Sequence, residues 1–171
     1  MIIRLQRYHS PCGDLMLGSL EDKLCLCDWA TETHREVVDK RLQRVLRVRY
    51  EENTSDVIQK TIRQLDEYFD GERTVFDIPL LFAGTAFQKE VWSKLLEIPY
   101  GKTVSYGELA TQLSMPKAVR AVANANGANA ISILVPCHRV IGSNHSLTGY
   151  AGGLAAKKQL LDLEINGKMI L

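Results

Sequence analysis

Apolar and polar side chains alternate from Ile2 to Tyr8, as in a strand with one buried face. A turn cluster, Ser10-Pro11-Cys12-Gly13-Asp14, follows. Leu15–Leu20 and Leu24–Trp29 then read as a hairpin closed by Glu21-Asp22-Lys23. The period changes after that. Val38, Leu42, Val45 and Leu46 recur at helical spacing within 35–48, and Ile58, Ile62, Leu65 and Phe69 do so within 55–69, where Gly71 is the stop. Residues 75–81 return to an extended pattern. Thr85-x-x-Gln88 is a capping box that opens a helix with Phe87, Val91, Trp92, Leu95 and Leu96 on its apolar face. A second box, Ser105-x-x-Glu108, opens a short helix to about Leu113. Pro116 is placed to start the next helix, which runs to Ala125 and is closed by Asn126-Gly127. Two short helices around a tight break form a helix-turn-helix pattern. The last helix spans 154–164.

One stretch departs from these periods. Ile131-Ser-Ile-Leu-Val135 is a short β-branched apolar run, read as a buried strand, and Pro136 stops it because proline has no N–H for a ladder. Cys137 and His138 follow at once. A cysteine mounted just past a rigid element suits a reactive group; taken alone, it is equally a small buried hydrophobe.

The chain has 171 residues, enough for a real core, with 46% apolar and 24% charged side chains, ordinary values for a globular protein. No apolar run nears the ~20 residues of a membrane span. Met1-Ile-Ile-Arg4 begins a strand rather than a signal peptide. A cytoplasmic protein is expected. Four cysteines do not make a disulfide scaffold in a chain of this size. Cys25 and Cys27, two apart in one strand, are expected to share a face. With Cys12 and His34 they lack metal-site spacing, so no metal is expected. Residues 1–82 carry 12 basic and 15 acidic side chains, residues 83–171 carry 9 and 5, and the whole chain has net charge +1. A mildly basic second half permits a polyanion partner. The organisation expected is α/β (α+β): a small mixed sheet with helices over 1–82, then a mainly helical unit over 83–171.

The second helix of the pair carries Val119 and Val122 for the core, a stripe of small side chains at Ala118, Ala121 and Ala125, and a polar stripe at Arg120 and Asn124. The alanines could simply favour helix. They could equally let the backbone approach a narrow DNA groove with Arg120 protruding into it. Glu164 lies near a helix C-terminus, where the dipole disfavours a carboxylate, so it must be solvated or held by a partner.

Taken in order, the segments of 85–165 resemble the O6-alkylguanine-DNA alkyltransferase (methylated-DNA–protein-cysteine methyltransferase) family. They are Thr85-Ala-Phe-Gln88 with Val91-Trp92, Ile98-Pro-Tyr-Gly101, Ser105-Tyr-Gly-Glu-Leu-Ala110, Arg120-Ala-Val122, Asn124-Ala-Asn-Gly127, Asn129, Pro136-Cys-His-Arg-Val-Ile-Gly142 and Thr148-Gly-Tyr-Ala-Gly-Gly153. The first half fits only at Ser10-Pro11-x-Gly13 and Tyr68-Phe69.

The resemblance implies roles. Cys137 would accept the alkyl group in a single turnover, His138 would take its proton through a water, and Glu164 would orient His138. Tyr106 would rotate the nucleotide and protonate the departing guanine. Asn129 would brace the turn before the active-site strand. Arg120 would replace the extruded base, with Ala121 and Ser143 also at the DNA. Tyr150, Ala151 and Val140 would line the alkyl pocket. The partner implied is double-stranded DNA carrying O6-alkylguanine, with O4-alkylthymine as a further substrate, bound through the minor groove by a monomer. No cofactor and no membrane are implied.

The chemistry agrees with those roles: alkyl transfer wants a soft thiolate, whose pKa a paired histidine would lower, and a base must leave the stack to reach a buried sulfur. The chain departs from the family in places. Ala130 stands where many relatives have proline. Ala151 stands where some have serine. Leu20 and Cys25 stand where zinc-holding relatives have cysteine and histidine. A lesion-binding protein without chemistry and a cysteine hydrolase are the rival readings; Cys137 argues against the first, and the second needs an oxyanion site.

Overall fold

A β-bulge decides how the sheet distributes its side chains. The computed structural model describes residues 1–144 and 146–169, with Glu32 described by its backbone alone. Strands β1 (Ile2–Ser10), β2 (Gly13–Leu20) and β3 (Lys23–Trp29) pair antiparallel, and β4 (Arg49–Glu52) adds parallel to β1, in the order β3-β2-β1-β4. Gly18 faces Leu26 and Ser19 faces Leu24, so Cys25 is the extra residue of the bulge. The strand phase reverses there. Leu24, Cys27 and Trp29 enter one core, and Cys25 and Leu26 enter the other. Cys25 and Cys27 therefore do not share a face, because one added residue defeats a period of two.

Helix α1 (Glu32–Leu46) covers one face of the sheet with Val38 and Leu42, over Ile3, Leu5, Leu20, Cys25 and Leu26. It starts three residues before the expected Arg35. Helix α2 (Asp56–Phe69) covers the other face, and its cap Ser55 accepts from the Ile58 N–H at 3.2 Å. Strand β4 was absent from the sequence reading: Arg49-Tyr-Glu-Glu52 has no apolar alternation, and edge pairing with β1 is what makes it a strand. Residues 75–81 hold an extended course only where Leu24 exchanges hydrogen bonds with Pro79 and Leu81, both at 2.9 Å.

The second half is mainly helical, as expected. Both capping boxes form, Thr85–Gln88 on α3 (Ala86–Leu95) and Ser105–Glu108 on α4 (Tyr106–Gln112). Helix α5 (Val119–Gly127) completes the helix-turn-helix but begins at Val119, not Pro116. Residues 114–118 form a turn instead: the Met115 N–H reaches back to Ala110 O, and Ser114 takes a left-handed φ of 60°. Val122 is fully buried while Val119 is 36% exposed, so only one of the two valines expected in the core is there. The small-residue stripe also divides: Ala121 is exposed, whereas Ala125 is buried and its carbonyl accepts from Trp92 Nε1 at 2.8 Å. Strands β5 (Val104–Ser105) and β6 (Val140–Ile141) pair in parallel, and α6 (Leu154–Asn166) closes the core. Among the described residues no helix is long and apolar enough to cross a membrane.

Gly18 sits where β2 crosses the α1-side core. A Cβ there would stand 2.9 Å from Leu26 Cβ and 3.1 Å from Ile3 Cγ2. Gly18→Ala should destabilise the protein by about 1–3 kcal/mol through overpacking. Urea unfolding with an unchanged m-value and a lowered midpoint is the expected result; an unchanged midpoint would show that the bulge yields without cost.

Candidate active site

Residues 131–135 are not the buried strand that their composition suggested. Only Ile131 bridges to β3, opposite Cys27, and the remainder is a turn. The reason lies in Asn129. Its Oδ1 accepts from the Ile131 N–H at 2.9 Å, and its Nδ2 lies 3.2 Å from Ile131 O and 2.9 Å from Val135 O. One side chain thus takes hydrogen bonds that a neighbouring strand would have supplied. Ile133 adopts φ 72°, a costly conformation for a β-branched residue that persists only where its surroundings fix it. The five apolar residues are β-branched-rich because they are buried, not because they pair.

This turn carries Cys137 into a 3-10 helix, Cys137–Arg139, whose curl places successive side chains apart. Cys137 is 6% exposed, and Asn129 Nδ2 also reaches its Sγ at 3.2 Å. Burial pushes the thiol pKa up to about 11 against the opposing pull of Asn129 and the Lys157 charge, with Asp28 adding to the rise. His138 does not bond to Cys137 directly, and the groups that favour its thiolate are Asn129 and Lys157.

His138 points the other way, into the core. Its Nε2 lies 2.7 Å from Glu164 Oε2, and both side chains are essentially buried. Burial lowers the His138 pKa against the pull of Glu164, so the ring is neutral with its proton on Nε2. Nδ1 is left as the basic atom, and it has no hydrogen-bond partner among the described residues. Glu164 also accepts from Arg139 Nε at 2.8 Å and Nη2 at 3.1 Å, from Tyr68 OH at 2.6 Å and from the Gly101 N–H at 3.3 Å. Burial alone would raise its pKa; hydrogen bonds from His138 and Arg139 and the guanidinium charge hold it well below the carboxylate range instead. Four partners offset the unfavourable end of the α6 dipole.

The other candidate residues fall around this centre. Tyr106, first in α4, accepts from Thr148 Oγ1 at 3.1 Å, which ties the helix to the 146–150 segment. Val140 is buried in β6. Ala151 is half-buried, and its carbonyl accepts from Thr31 at 3.3 Å. Tyr150 is edge-on to Trp29, with ring centroids 5.8 Å apart. The Tyr150 pKa is raised by burial and by the nearby Cys137, while Trp29 and Ser132 pull the other way. Arg120, Ala121 and Asn124 share the exposed face of α5, and Ser143 is exposed in the turn after β6. His145, within the 142–149 loop, lies outside the described residues.

Several residues of this centre were not singled out from the sequence. Lys157 is fully buried, with Nζ donating to Val140 O at 2.7 Å and Thr148 O at 3.2 Å. Its spacing with Leu160, Leu161 and Glu164 put it on the inner face of α6, a signal that periodicity did carry. Arg139, whose Nη1 also donates to Ile98 O at 2.7 Å, could have been suspected as a charge inside an apolar string. Tyr68 and Asn126, which reaches Cys137 O at 3.4 Å, stand within segments that carry the resemblance, but nothing local gave either of them a role.

Known proteins are similar to this chain in sequence and fold. Residues 86–166 match the family model for the 6-O-methylguanine DNA methyltransferase DNA binding domain, and residues 3–82 match that for the ribonuclease-like domain of 6-O-methylguanine DNA methyltransferase. The chain is 45% identical over 158 residues to a methylated-DNA–protein-cysteine methyltransferase of Methanosarcina acetivorans, covering 92% of this chain and 95% of that one. A protein of the same name from Mycobacterium bovis is 57% identical over 103 residues, 60% of this chain and 62% of that one. The crystal structure of Mycobacterium tuberculosis OGT in complex with DNA superposes with a TM-score of 0.83 at 40% identity, covering 99% of this chain and 96% of that one.

Glu164 is the group whose loss the centre should tolerate least. Glu164→Gln leaves Arg139 as a buried cation without its carboxylate and should cost about 3–5 kcal/mol, read by chemical denaturation. Because the folded pKa of Glu164 is depressed, its stabilisation is complete above the ordinary carboxylate range and fades as pH falls below it. His138, buried neutral, adds to acid sensitivity below about pH 6.5. The wild-type midpoint should therefore drop between about pH 5 and pH 3 by more than that of Glu164→Gln; parallel curves would exclude the ion pair as the source.

Proposed function

The chain belongs to the 6-O-methylguanine DNA methyltransferase family, and we propose that it repairs DNA by direct reversal, moving the alkyl group of O6-alkylguanine onto its own Cys137 once per molecule. The observation that carries this reading is the placing of one buried thiol in a turn fixed by Asn129, next along the chain to a His138 whose Nε2 is anchored to Glu164 and whose Nδ1 has no partner among the described residues. Cys137 attacks the alkyl carbon. The S–C bond forms as the C–O6 bond breaks, and the electron pair leaves with the purine, which takes a proton from Tyr106. The thiol proton passes to His138 Nδ1 through a water.

Burial makes the thiol, not the thiolate, the resting form, so removal of its proton is part of the reaction rather than a prior equilibrium. Lys157 and Asn129 stabilise the negative charge as it develops on sulfur. The product is a thioether, which offers water no leaving group, so turnover stops at one.

DNA is the partner. A base inside a duplex cannot reach a sulfur that is 6% exposed, so the lesion is flipped out of the stack. Helix α5 presents Arg120, Ala121 and Asn124 to the minor groove, with Arg120 in the place of the extruded base and Ser143 at the flank. Tyr150, Ala151 and Val140 wall the alkyl pocket. In this reading residues 1–82 and 83–171 are two units, the second holding the chemistry. The protein acts as a monomer in the cytoplasm.

Cys137→Ser should abolish transfer while keeping its hold on alkylated duplex, since a hydroxyl fills the space but is a far weaker nucleophile. Intact-mass measurement after incubation with methylated duplex should show one methyl gained by the wild type and none by the variant. Turnover of an ester or peptide without a mass change would mark a hydrolase, and an unchanged mass with tight binding would mark a lesion-binding protein. Arg120→Ala should slow repair of duplex more than reaction with free O6-benzylguanine, because unstacking, a few kcal/mol, is absent for the free base. Equal losses on both substrates would remove Arg120 from base extrusion.

A further inference from the structure

The carboxyl end of α5 is held by side chains from elsewhere in the chain. The last carbonyls of a helix have no intrahelical donor and need outside partners. Here Trp92 Nε1 serves Ala125 O at 2.8 Å, Arg41 Nη2 serves Ala128 O at 2.7 Å and His34 Nε2 serves Gly127 O at 2.9 Å. Arg41 also lies over the Trp92 ring, 5.3 Å from its centroid. Two of the three donors stand on α1, against the sheet, so the sheet half supplies a cationic cap to a helix of the other half, at the end where the dipole favours positive charge.

His34 has a second bond. Its Nδ1 lies 3.0 Å from Oδ2 of Asp28, a β3 carboxylate with no exposed surface. A carbonyl oxygen only accepts and a carboxylate only accepts. A neutral imidazole has one N–H and can serve one of them. With an ionised carboxylate at Asp28, both contacts together require the ring to carry two protons. We propose that His34, held as an imidazolium between Asp28 and Gly127, is a positioning residue that clamps the carboxyl end of the DNA-contacting helix to the sheet, and that the clamp opens as His34 gives up its proton. This rests on the reading of α5 as the helix that enters DNA.

The surroundings of the ring decide the direction of the switch. From β3 it faces Asp28; from α1, Arg41; from α5, the Gly127 and Ala128 carbonyls beside the uncharged Asn124. Burial and Arg41 oppose the charge, whereas Asp28 and the Gly127 carbonyl favour it, and the net result is a raised pKa. A group with a raised folded pKa contributes in full below its unfolded value near 6.5 and loses that contribution as pH rises through the folded value. The clamp is therefore closed below about pH 6.5 and opens as pH rises through the raised folded value. The consequence reaches the nucleophile, because α5 also carries Asn126, whose Nδ2 lies 3.4 Å from the Cys137 carbonyl.

The test uses the full chain in three measurements. Nitrogen-15 NMR of the wild-type imidazoles should show His34 doubly protonated at about pH 6 and titrating with a midpoint above 6.5; a midpoint at or below about 6.5 overturns the proposal without any variant. Amide exchange at 125–129, corrected for intrinsic base catalysis, should quicken by about tenfold as His34 titrates, the scale of one lost charged hydrogen bond. His34→Gln should show that faster exchange already at pH 6 and no step; a step that survives in the variant overturns the proposal. Finally, the wild-type ratio of duplex repair to reaction with free O6-benzylguanine should fall several-fold from pH 6 to pH 9, with the thiol's own titration cancelling, and should lose this dependence in His34→Gln. A ratio flat in both confines the clamp to structure and overturns its role in repair. A protein that transfers no alkyl group at all would instead overturn the functional reading, leaving the ring titration and the exchange step to stand on their own.

Discussion

The centre depends on keeping Glu164 ionised inside the protein. A carboxylate at the negative end of a helix, 5% exposed, is untenable alone. It survives because Arg139 is as deeply buried and fixed in geometry, with two nitrogens on the carboxylate and a third on Ile98 O. Everything else follows from that anion. It orients the His138 tautomer, draws Tyr68 from α2, and takes the Gly101 N–H beyond the end of α3. Two glycines reinforce the junction: Gly71 and Gly167 both have left-handed backbones, and a Cβ on Gly71 would stand 2.0 Å from Gly167 O. The ends of α2 and α6 meet backbone to backbone, a closeness that only glycine permits.

Sulfur and imidazole are tuned separately. His138 is the end of a buried chain of hydrogen bonds whose charge sits on Glu164 and Arg139, whereas Cys137 answers to Asn129 and Lys157. Separation has a physical rationale. An imidazolium paired directly with a thiolate would give a permanently reactive sulfur. A buried thiol near pKa 11 stays protonated at neutral pH. The strained Ile133 and the fourfold use of the Asn129 amide fix where that sulfur sits.

Much of this was legible in the sequence, for identifiable reasons. The capping boxes at Thr85 and Ser105, the stripe of α2, and that of α3 except for Leu96, which caps the helix and is exposed, are local signals with local causes, and they formed where they were read. The order of segments around Cys137 carried the family. What failed was non-local. Residues 131–135 have strand composition, but a side chain two residues upstream took their hydrogen bonds. Strand β4 exists only because β1 offers an edge. Cys25 left its expected face through a bulge that no periodicity foretells. The lowered cysteine pKa was expected from the needs of the chemistry, and the burial that raises it instead is a tertiary effect that no local pattern shows. Glu164 was recognised as needing a partner, but Tyr68, 96 residues away, could not be found from spacing.

That last separation bears on how the protein is made. The bonds converging on Glu164 span 25, 26, 63 and 96 residues. Contacts so distant in sequence close late, after loop entropy has been met by more local structure. During synthesis the sheet and α2 emerge first, then the turn bearing Cys137, and α6 last of these. Until α6 docks, His138 has no anchor and Arg139 no counter-ion. A nascent chain therefore carries Cys137 for some time before the buried ion pair beside it exists, and the centre is completed by one of the final folding events.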